Sequence, residues 1–166
     1  MRIPIVNQRT EYDCGVAVCT AIAEAYHSPF IDPQKELLYS LYKGLVQPTP
    51  EKGTSIVNMV EGLSQKRRSA YYVKYMSTDS LDLYIYNNIP VVLLIEGYGP
   101  TKEDENYSAC KKGHYIIVFD KLGDSYVIMD PLYADYVLIS KNNLLKRWHG
   151  LDDLGHEIES QAIILH

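Results

Sequence analysis

The hydrophobic periodicity changes near residue 70, and this change is the feature that most constrains the fold. Before it, apolar residues recur at helical spacing; after it, short β-branched runs alternate with Gly, Asn and Asp. Helices that come first and strands that follow indicate the α+β class, with an N-terminal helical half packed on a C-terminal antiparallel β-sheet. The 166 residues contain no repeats or linkers, so we expect a single domain over residues 1–166.

The first half is predicted as three helices at 14–26, 32–44 and 55–65. Asp13 is expected to cap the first helix by accepting hydrogen bonds from N–H groups of its first turn. Gly44 is expected to end the second helix. The inward-facing side chains of the second and third helices are predicted to be Leu37, Leu38, Leu41, Tyr42, Ile56, Val57, Met59, Val60 and Leu63.

The second half is predicted as strands with two short helices. A helix over 78–88 is capped by Thr78 or Asp79, and another begins after Ser140. The clearest strand signal is a β-hairpin, because two β-branched runs flank a turn that contains Gly123. The predicted strands cover 71–76, 90–96, 114–120, 125–130, 136–139 and 162–165.

Charge and composition exclude several classes of function. The net charge is −5 and the only basic run is residues 66–68, so nucleic acid is a poor candidate partner. The sequence has no signal peptide and no apolar run that could cross a membrane, and its three cysteines cannot all pair. We therefore expect a cytoplasmic protein without membrane insertion. No set of residues has metal-ligand spacing, so no metal or cofactor is expected.

A cysteine sits where the loop 7–13 gives way to the first helix. The unpaired N–H groups of a helix N-terminus lower the pKa of a thiol, so Cys14 has the position of a nucleophile. The alternative interpretation is a buried structural thiol, since free cysteines are among the most buried residues. We give that interpretation to Cys19, in the middle of the same helix.

A histidine and an aspartate occupy matching ends of the predicted hairpin. His114 begins the first strand and Asp130 ends the second, so they are expected to lie opposite each other to within one position. An odd loop length or a β-bulge would put both side chains on one face. The carboxylate could then hold one ring nitrogen of the histidine and turn the other toward a nucleophile. No such partner is predicted for His27, His149, His156 and His166.

A glutamine precedes the cysteine by six residues. Attack of a thiolate on an amide carbonyl forms an oxyanion, which needs hydrogen-bond donors already in place. The side-chain amide of Gln8 and the backbone N–H of Cys14 are candidates for two such donors. The plain alternative for a glutamine near the N-terminus is a solvated polar residue.

Together these residues resemble the C39 branch of the papain-like cysteine peptidases, which includes leader peptidases that cut bacteriocin precursors after a double glycine. The resemblance covers about residues 3–131 and implies a papain-like fold with the active-site cleft between its two halves. It also implies a peptide or protein substrate. By this resemblance Cys14 would be the nucleophile, His114 the general base and acid, Asp130 the orienting carboxylate and Gln8 the oxyanion donor. Its motifs are Gln8, Asp13-Cys14-Gly15, Gly53-Thr54-Ser55, Pro90-Val91-Val92, Gly113-His114-Tyr115 and Asp130-Pro131.

Two alternatives share these residues. One is an acyltransferase, of transglutaminase type, in which an amine replaces water at the same site. The other is a peptide-binding module that keeps the fold without the activity. The transporter-associated leader peptidases are fused to membrane and ATP-binding units, whereas a stand-alone domain is expected here. The polar segment 97–113 is predicted as a surface loop, with a lid as the alternative.

Overall fold

The computed structural model describes residues 1–26, 35–65, 68–97, 113–152 and 154–166. Within these ranges the helical segments come first and the strands dominate the rest, as expected for an α+β chain. The helices are α1 (Cys14–Ala25), α2 (Lys35–Val46), α3 (Ile56–Leu63), α4 (Thr78–Tyr86) and α5 (Lys141–Arg147). The strands are β1 (Ala70–Val73), β2 (Val91–Glu96), β3 (Gly113–Leu122), β4 (Ser125–Met129), β5 (Val137–Ser140), β6 (His149–Leu151), β7 (Glu157–Glu159) and β8 (Gln161–Leu165).

Six of the strands form one antiparallel sheet in the order β1-β8-β2-β3-β4-β5. The strand β8 inserts between β1 and β2, so β2 has neighbours on both sides. All six residues of β2 are buried, which explains the apolar run of its first five residues.

The sheet lies between two groups of helices. Side chains alternate between the faces of a strand, so Val92 and Leu94 pack toward α1, α2 and α3. Leu93 and Ile95 point the other way and pack with residues of α4 and α5. The predicted packing of the N-terminal helices on the C-terminal sheet is confirmed, and the sheet also has a helical layer on its second face.

The N-terminus of α1 is tightly enclosed. A Cβ atom at Gly15 would lie 2.7 Å from both the Met59 sulfur and the Thr54 hydroxyl oxygen, so a side chain there would displace α3 or the loop before it. Every residue from Cys14 to Ala23 is buried. The backbone at the start of α1 is therefore fixed by close packing, and with it the position of Cys14.

The second helix differs from its prediction at its end and on its face. Gly44 does not end α2; the helix continues to Val46, whose side chain is fully buried, and the left-handed Gln47 (φ 44°) follows. Burial of one more apolar side chain outweighs the weak helix propensity of glycine. Leu37 and Leu41, predicted inward, are 68% and 48% exposed. The predicted start of this helix at residue 32 lies outside the described residues.

Two other details of the helices also differ. Val57 was expected to face inward in α3 but is 59% exposed. The cap of α4 is Ser77, whose hydroxyl accepts from the Ser80 N–H, and not Thr78 or Asp79. The predicted cap Ser140 does accept from the N–H of the third residue after it, and Ser55 caps α3 in the same way.

The hairpin β3–β4 contains the feature that sets its geometry. Its two-residue turn pairs Leu122 with Ser125, but the register shifts by one residue between Val118 and Asp120. This is a β-bulge, with an extra residue on β3. Past the bulge Ile117 pairs with Met129, so continuation of the register sets residue 130 opposite residue 116.

A second, two-stranded sheet of β6 and β7 was missed by the sequence analysis. Each strand has only three residues, too few for a periodic signal. The hairpin packs over the end of β2, where a Cβ atom on Gly150 would lie 3.8 Å from Leu94. In the described ranges, no helix has the length and hydropathy of a membrane span.

Candidate active site

Cys14 is the first residue of α1 and lies against the start of β3. Its side chain is 6% exposed. The backbone N–H groups of Gly15 and Tyr115 donate toward its sulfur. Two main-chain N–H groups therefore face the thiol, and one of them belongs to the residue that follows His114. Such donors stabilise negative charge on sulfur.

Burial nevertheless dominates the ionisation of this thiol. It raises the pKa of Cys14 to about 11, and the negative charges of Asp13 and Asp130 raise it further, while the two N–H donors lower it. The position of Cys14 at a helix N-terminus predicts a lowered pKa. That effect exists but is the smaller one, because nearly all water has been removed from the sulfur.

His114 and Asp130 are brought together. The His114 Nε2 atom lies 2.8 Å from Asp130 Oδ1, and the two residues are 6% and 0% exposed. The carboxylate also accepts the N–H of Leu132 at 2.9 Å. The expectation that they lie opposite each other to within one position is wrong: Asp130 follows the register opposite Ile116, diagonal to His114. The bulge puts both on one face, which is the condition that the sequence argument required.

The same burial sets the charge state of this pair. It raises the pKa of Asp130 to about 6 and lowers the pKa of His114 to about 4, because both charged forms lose hydration. At neutral pH the pair is therefore a carboxylate and a neutral imidazole. With Nε2–H donated to Asp130, the other ring nitrogen, Nδ1, is in the form that accepts a proton.

Gln8 lies beside the end of this hairpin. Its backbone N–H donates to the Pro131 carbonyl at 3.0 Å, which joins the N-terminal segment to the residue after Asp130. Its side-chain Nε2 donates to the Thr10 carbonyl at 2.8 Å. The amide nitrogen has a second hydrogen, which is the donor that the predicted contact with an oxyanion requires. That contact stays a prediction.

Asp13 is not the cap that the sequence predicted. Its side chain makes no capping hydrogen bond to α1. Its Oδ1 atom instead accepts the backbone N–H groups of Arg9 and Thr10, at 3.0 and 2.8 Å. The carboxylate is turned back toward the incoming loop because that loop offers two N–H donors in one tight turn.

A groove of about 980 Å³ opens at Cys14, between the helical half and the sheet. One wall is the loop 50–57 before and at the start of α3. The opposite wall includes Leu94, Tyr115 and, from the β6–β7 hairpin, Leu151, Asp152, Leu154 and Gly155. The expected cleft between the two halves is thus present, but its second wall comes from the hairpin that the sequence analysis missed.

A family model for the Peptidase C39 family matches residues 2–152, nearly the whole chain. The chain belongs to the Peptidase C39 family. Members of this family are cysteine peptidases of the papain-like type, so the suspected family and the enzyme class are both confirmed. No curated protein is similar enough in sequence to count as a relative.

Solved structures of C39 peptidase domains share the fold. A putative C39-like peptidase from Bacillus anthracis is 15% identical, with a TM-score of 0.68 over 99% of this chain and 94% of the other. The peptidase domain of Streptococcus ComA is 19% identical, with a TM-score of 0.64 over 99% and 98%. A double glycine motif protease from an AMS/PCAT transporter, crystallised with its leader peptide, is 13% identical, with a TM-score of 0.64 over 99% and 91%.

This C39 family member has a second buried histidine–carboxylate pair, which the sequence analysis did not find. His149 was given no partner, yet its Nε2 lies 3.2 Å from Glu96 Oε2, and the two side chains are 5% and 2% exposed. Glu96 ends β2 and His149 begins β6, so the pair joins the sheet to the hairpin that forms the second wall of the groove. No local pattern could have signalled a contact between residues so far apart in sequence.

His156 also has a carboxylate neighbour, Asp152, at 3.5 Å on the exposed turn of the same hairpin. Among the described residues, no group of three or more His, Cys, Asp or Glu side chains is arranged to hold a metal ion. His27 and the predicted loop 97–113, apart from its two end residues, lie outside the described residues. The site is thus described by Cys14, His114, Asp130 and the loop that carries Gln8.

Proposed function

We propose that this chain hydrolyses peptide bonds with Cys14 as the nucleophile and His114 as the general base and acid. In this proposal Asp130 orients the imidazole, and Gln8 donates a hydrogen bond to the oxyanion. The substrate is a peptide or protein segment that lies in the groove beside Cys14.

The observation that carries this proposal is the 2.8 Å contact of His114 with Asp130, one residue from the Tyr115 N–H that faces the Cys14 sulfur. This contact supports His114 as a neutral base that Asp130 orients, next in sequence to the residue whose N–H faces the Cys14 sulfur. Burial disfavours a thiolate in the resting site, so proton transfer accompanies attack instead of preceding it.

Acylation follows from these positions. His114 Nδ1 takes the proton from Cys14 as the sulfur bonds to the carbonyl carbon, and the carbonyl oxygen becomes the oxyanion. The imidazolium is stabilised by Asp130, and Gln8 with a backbone N–H stabilises the oxyanion. When the intermediate collapses, the C–N bond breaks and His114 gives its proton to the leaving amine. The product is a thioester on Cys14.

Deacylation reverses the roles. Water attacks the thioester carbonyl while His114 accepts its proton, and a second oxyanion forms in the same place. Collapse releases the new carboxyl group, and the proton returns to the Cys14 sulfur. The peptide bond is thus replaced by one amine and one acid, with the enzyme unchanged.

The size and position of the groove support a peptide substrate. About 980 Å³ beside the thiol accommodates several residues, and its walls combine apolar side chains with backbone at a strand end. The AMS/PCAT protease of the same fold was crystallised with a leader peptide, which makes an extended peptide a sensible first substrate to test here.

Cys14→Ala tests the assignment against a matched control. Cys19 is a fully buried cysteine on the same helix, and its sulfur lies 3.9 Å from the Met59 sulfur. We expect Cys14→Ala to abolish cleavage of a mixed quenched-fluorescence peptide library while Cys19→Ala keeps it. Mass spectrometry should find a thioester on wild-type Cys14 during turnover. Full activity of Cys14→Ala would overturn the proposal.

A further inference from the structure

The loop from Gln8 to Asp13 is organised by one carboxylate. Asp13 is fully buried, which is unusual for an aspartate next to a nucleophilic thiol. Its Oδ1 atom accepts two consecutive backbone N–H groups, from Arg9 and Thr10, at 3.0 and 2.8 Å. A charged acceptor makes stronger hydrogen bonds than a neutral one, so the turn between these residues is firmly fixed.

The same turn holds the side chain of Gln8. Thr10 donates its N–H to Asp13 and accepts the Gln8 Nε2 hydrogen bond, at 2.8 Å, on its carbonyl. The backbone of Thr10 therefore links the Asp13 carboxylate to the Gln8 side-chain amide. If Thr10 moves, the orientation of the Gln8 amide moves with it.

Arg9, in the same loop, is also held by Tyr39 of α2. The Tyr39 hydroxyl accepts the Arg9 N–H at 3.2 Å, and the Arg9 guanidinium carbon lies 3.9 Å from the centre of the Tyr39 ring. Burial raises the pKa of Tyr39, and a hydrogen bond to the Asp13 carboxylate raises it further. The loop is thus held by contacts with Tyr39 of α2 and by hydrogen bonds to Asp13.

We infer that Asp13 is a positioning residue, whose carboxylate orients the Gln8 amide for the oxyanion through the backbone N–H and carbonyl of Thr10. This inference rests on the role proposed above for Gln8. It assigns a function to the residue just before the nucleophile that neither helix capping nor proton transfer explains.

The carboxylate has an electrostatic cost that sharpens the inference. Its negative charge contributes to the raised pKa of Cys14, so it opposes formation of the thiolate. The carboxylate contacts the loop at Arg9 and Thr10. Fixing that loop is therefore the benefit that offsets its unfavourable charge beside the thiol. An asparagine would keep an acceptor oxygen for both N–H groups and remove the charge, so the two effects can be separated.

Two probes of the thiol isolate the oxyanion step. Acylation by p-nitrophenyl acetate forms an oxyanion, whereas alkylation by iodoacetamide forms none. We expect Gln8→Ala and Asp13→Ala each to slow acylation about tenfold. This loss is smaller than the roughly 100-fold or greater fall in kcat that removal of an oxyanion donor causes with a preorganised peptide substrate. Alkylation of Cys14 should stay within about twofold of wild type in Gln8→Ala. In Asp13→Ala alkylation should become no slower, and its pH profile should shift to lower pH, because the negative charge that raises the pKa of Cys14 is gone.

Asp13→Asn is the conservative variant. It should acylate within about threefold of the wild type, because the amide oxygen still accepts the two N–H groups. Its pH profile of alkylation should shift to lower pH, because the charge beside Cys14 is gone. If Asp13→Ala does not give a cooperative thermal transition, Asp13→Asn decides alone, and a tenfold loss of acylation in it would overturn the inference.

A double variant separates this inference from the proposed function. Asp13→Ala combined with Gln8→Ala should be no slower than Gln8→Ala, because both changes act through one amide. Effects that multiply to about 100-fold would show that Asp13 acts independently of Gln8, and the inference would be wrong while Gln8 keeps its role. A Gln8→Ala variant that acylates at the wild-type rate would overturn both.

Discussion

Two buried histidine–carboxylate pairs lie near the same end of the central sheet. The His114–Asp130 contact is 2.8 Å and the His149–Glu96 contact is 3.2 Å, and all four side chains are at least nine-tenths buried. They are neighbours in space, because Glu96 pairs with Gly113 across β2 and β3. Both place a buried imidazole beside a buried carboxylate, although His149 Nε2 also lies 3.1 Å from the Lys146 carbonyl oxygen.

What separates them is the group next to each histidine. The residue after His114 directs its N–H at the Cys14 sulfur, whereas His149 begins a strand that packs on the sheet and leads into the groove wall. A buried imidazole with a carboxylate is therefore insufficient evidence of a catalytic base. Its proximity to a nucleophile is the informative feature, and we expect the two pairs to respond differently to the same substitution.

The largest difference should come from the histidines. His114→Ala should lower kcat about 1,000-fold, because general acid and base catalysis at Cys14 is lost. His149→Ala should leave kcat within about threefold while it lowers the free energy of unfolding by about 3 kcal/mol, because the Glu96 carboxyl stays buried without that partner. Peptide kinetics and urea denaturation of both variants check this. Equal losses of kcat would remove the distinction.

The carboxylates should differ in the same direction, with smaller effects. Asp130→Ala should reduce kcat about 100-fold, since the imidazole loses its orienting acceptor. Asp130→Asn keeps an oxygen that can accept Nε2–H and should recover most of the loss. Glu96→Gln should change kcat less than twofold. Steady-state kinetics of the three variants are the measurement, and a Glu96→Gln defect as large as that of Asp130→Ala would contradict the assignment.

The acid limb of the pH profile should belong to the first pair. Burial raises the pKa of Asp130 to about 6, so the carboxylate is present above that pH and is lost as the pH falls through it. We expect kcat/KM to fall about tenfold from pH 7 to pH 5, the loss set by one titrating group. Asp130→Asn should flatten this limb and Glu96→Gln should not. A limb unchanged in Asp130→Asn would assign it to another group.

The smallest effect should come from the wall that the second pair supports. Leu154, on the turn of the β6–β7 hairpin, lines the groove and is 81% exposed. Leu154→Ser should raise KM two- to fivefold, about 1 kcal/mol or less, with kcat unchanged, because an exposed apolar contact with substrate is weakened. Leu138→Ser, at another exposed leucine on β5, is the control and should leave both constants unchanged.

Much of the fold was accessible from sequence because its signals are local. The hairpin β3–β4, the cap Ser140 and the apolar run of β2 each depend on residues within one element. His114 and Asp130 could be paired for the same reason, since they are 16 residues apart on one hairpin. A turn and a count of residues were enough to bring them close.

The rest depends on contacts between distant segments. Gly44 was expected to end α2, but the burial of Val46 extends the helix past it. Asp13 was assigned to the helix that follows it, and its partners lie in the loop before it. The Glu96–His149 pair and the wall it supports require knowledge of how β6 lies on β2. The prediction of a lowered pKa for Cys14 was wrong for a similar reason, because the burial that raises this pKa is a property of the whole fold.

The bulge between Val118 and Asp120 has a consequence for how this hairpin tolerates insertions and deletions. Each added residue between His114 and Asp130 reverses the face on which the aspartate emerges, as one extra residue on β3 does now. Length can therefore vary in steps of two, or by one residue when a bulge is gained or lost with it. Any other indel would leave a well-packed hairpin with its carboxylate on the wrong side of the sheet.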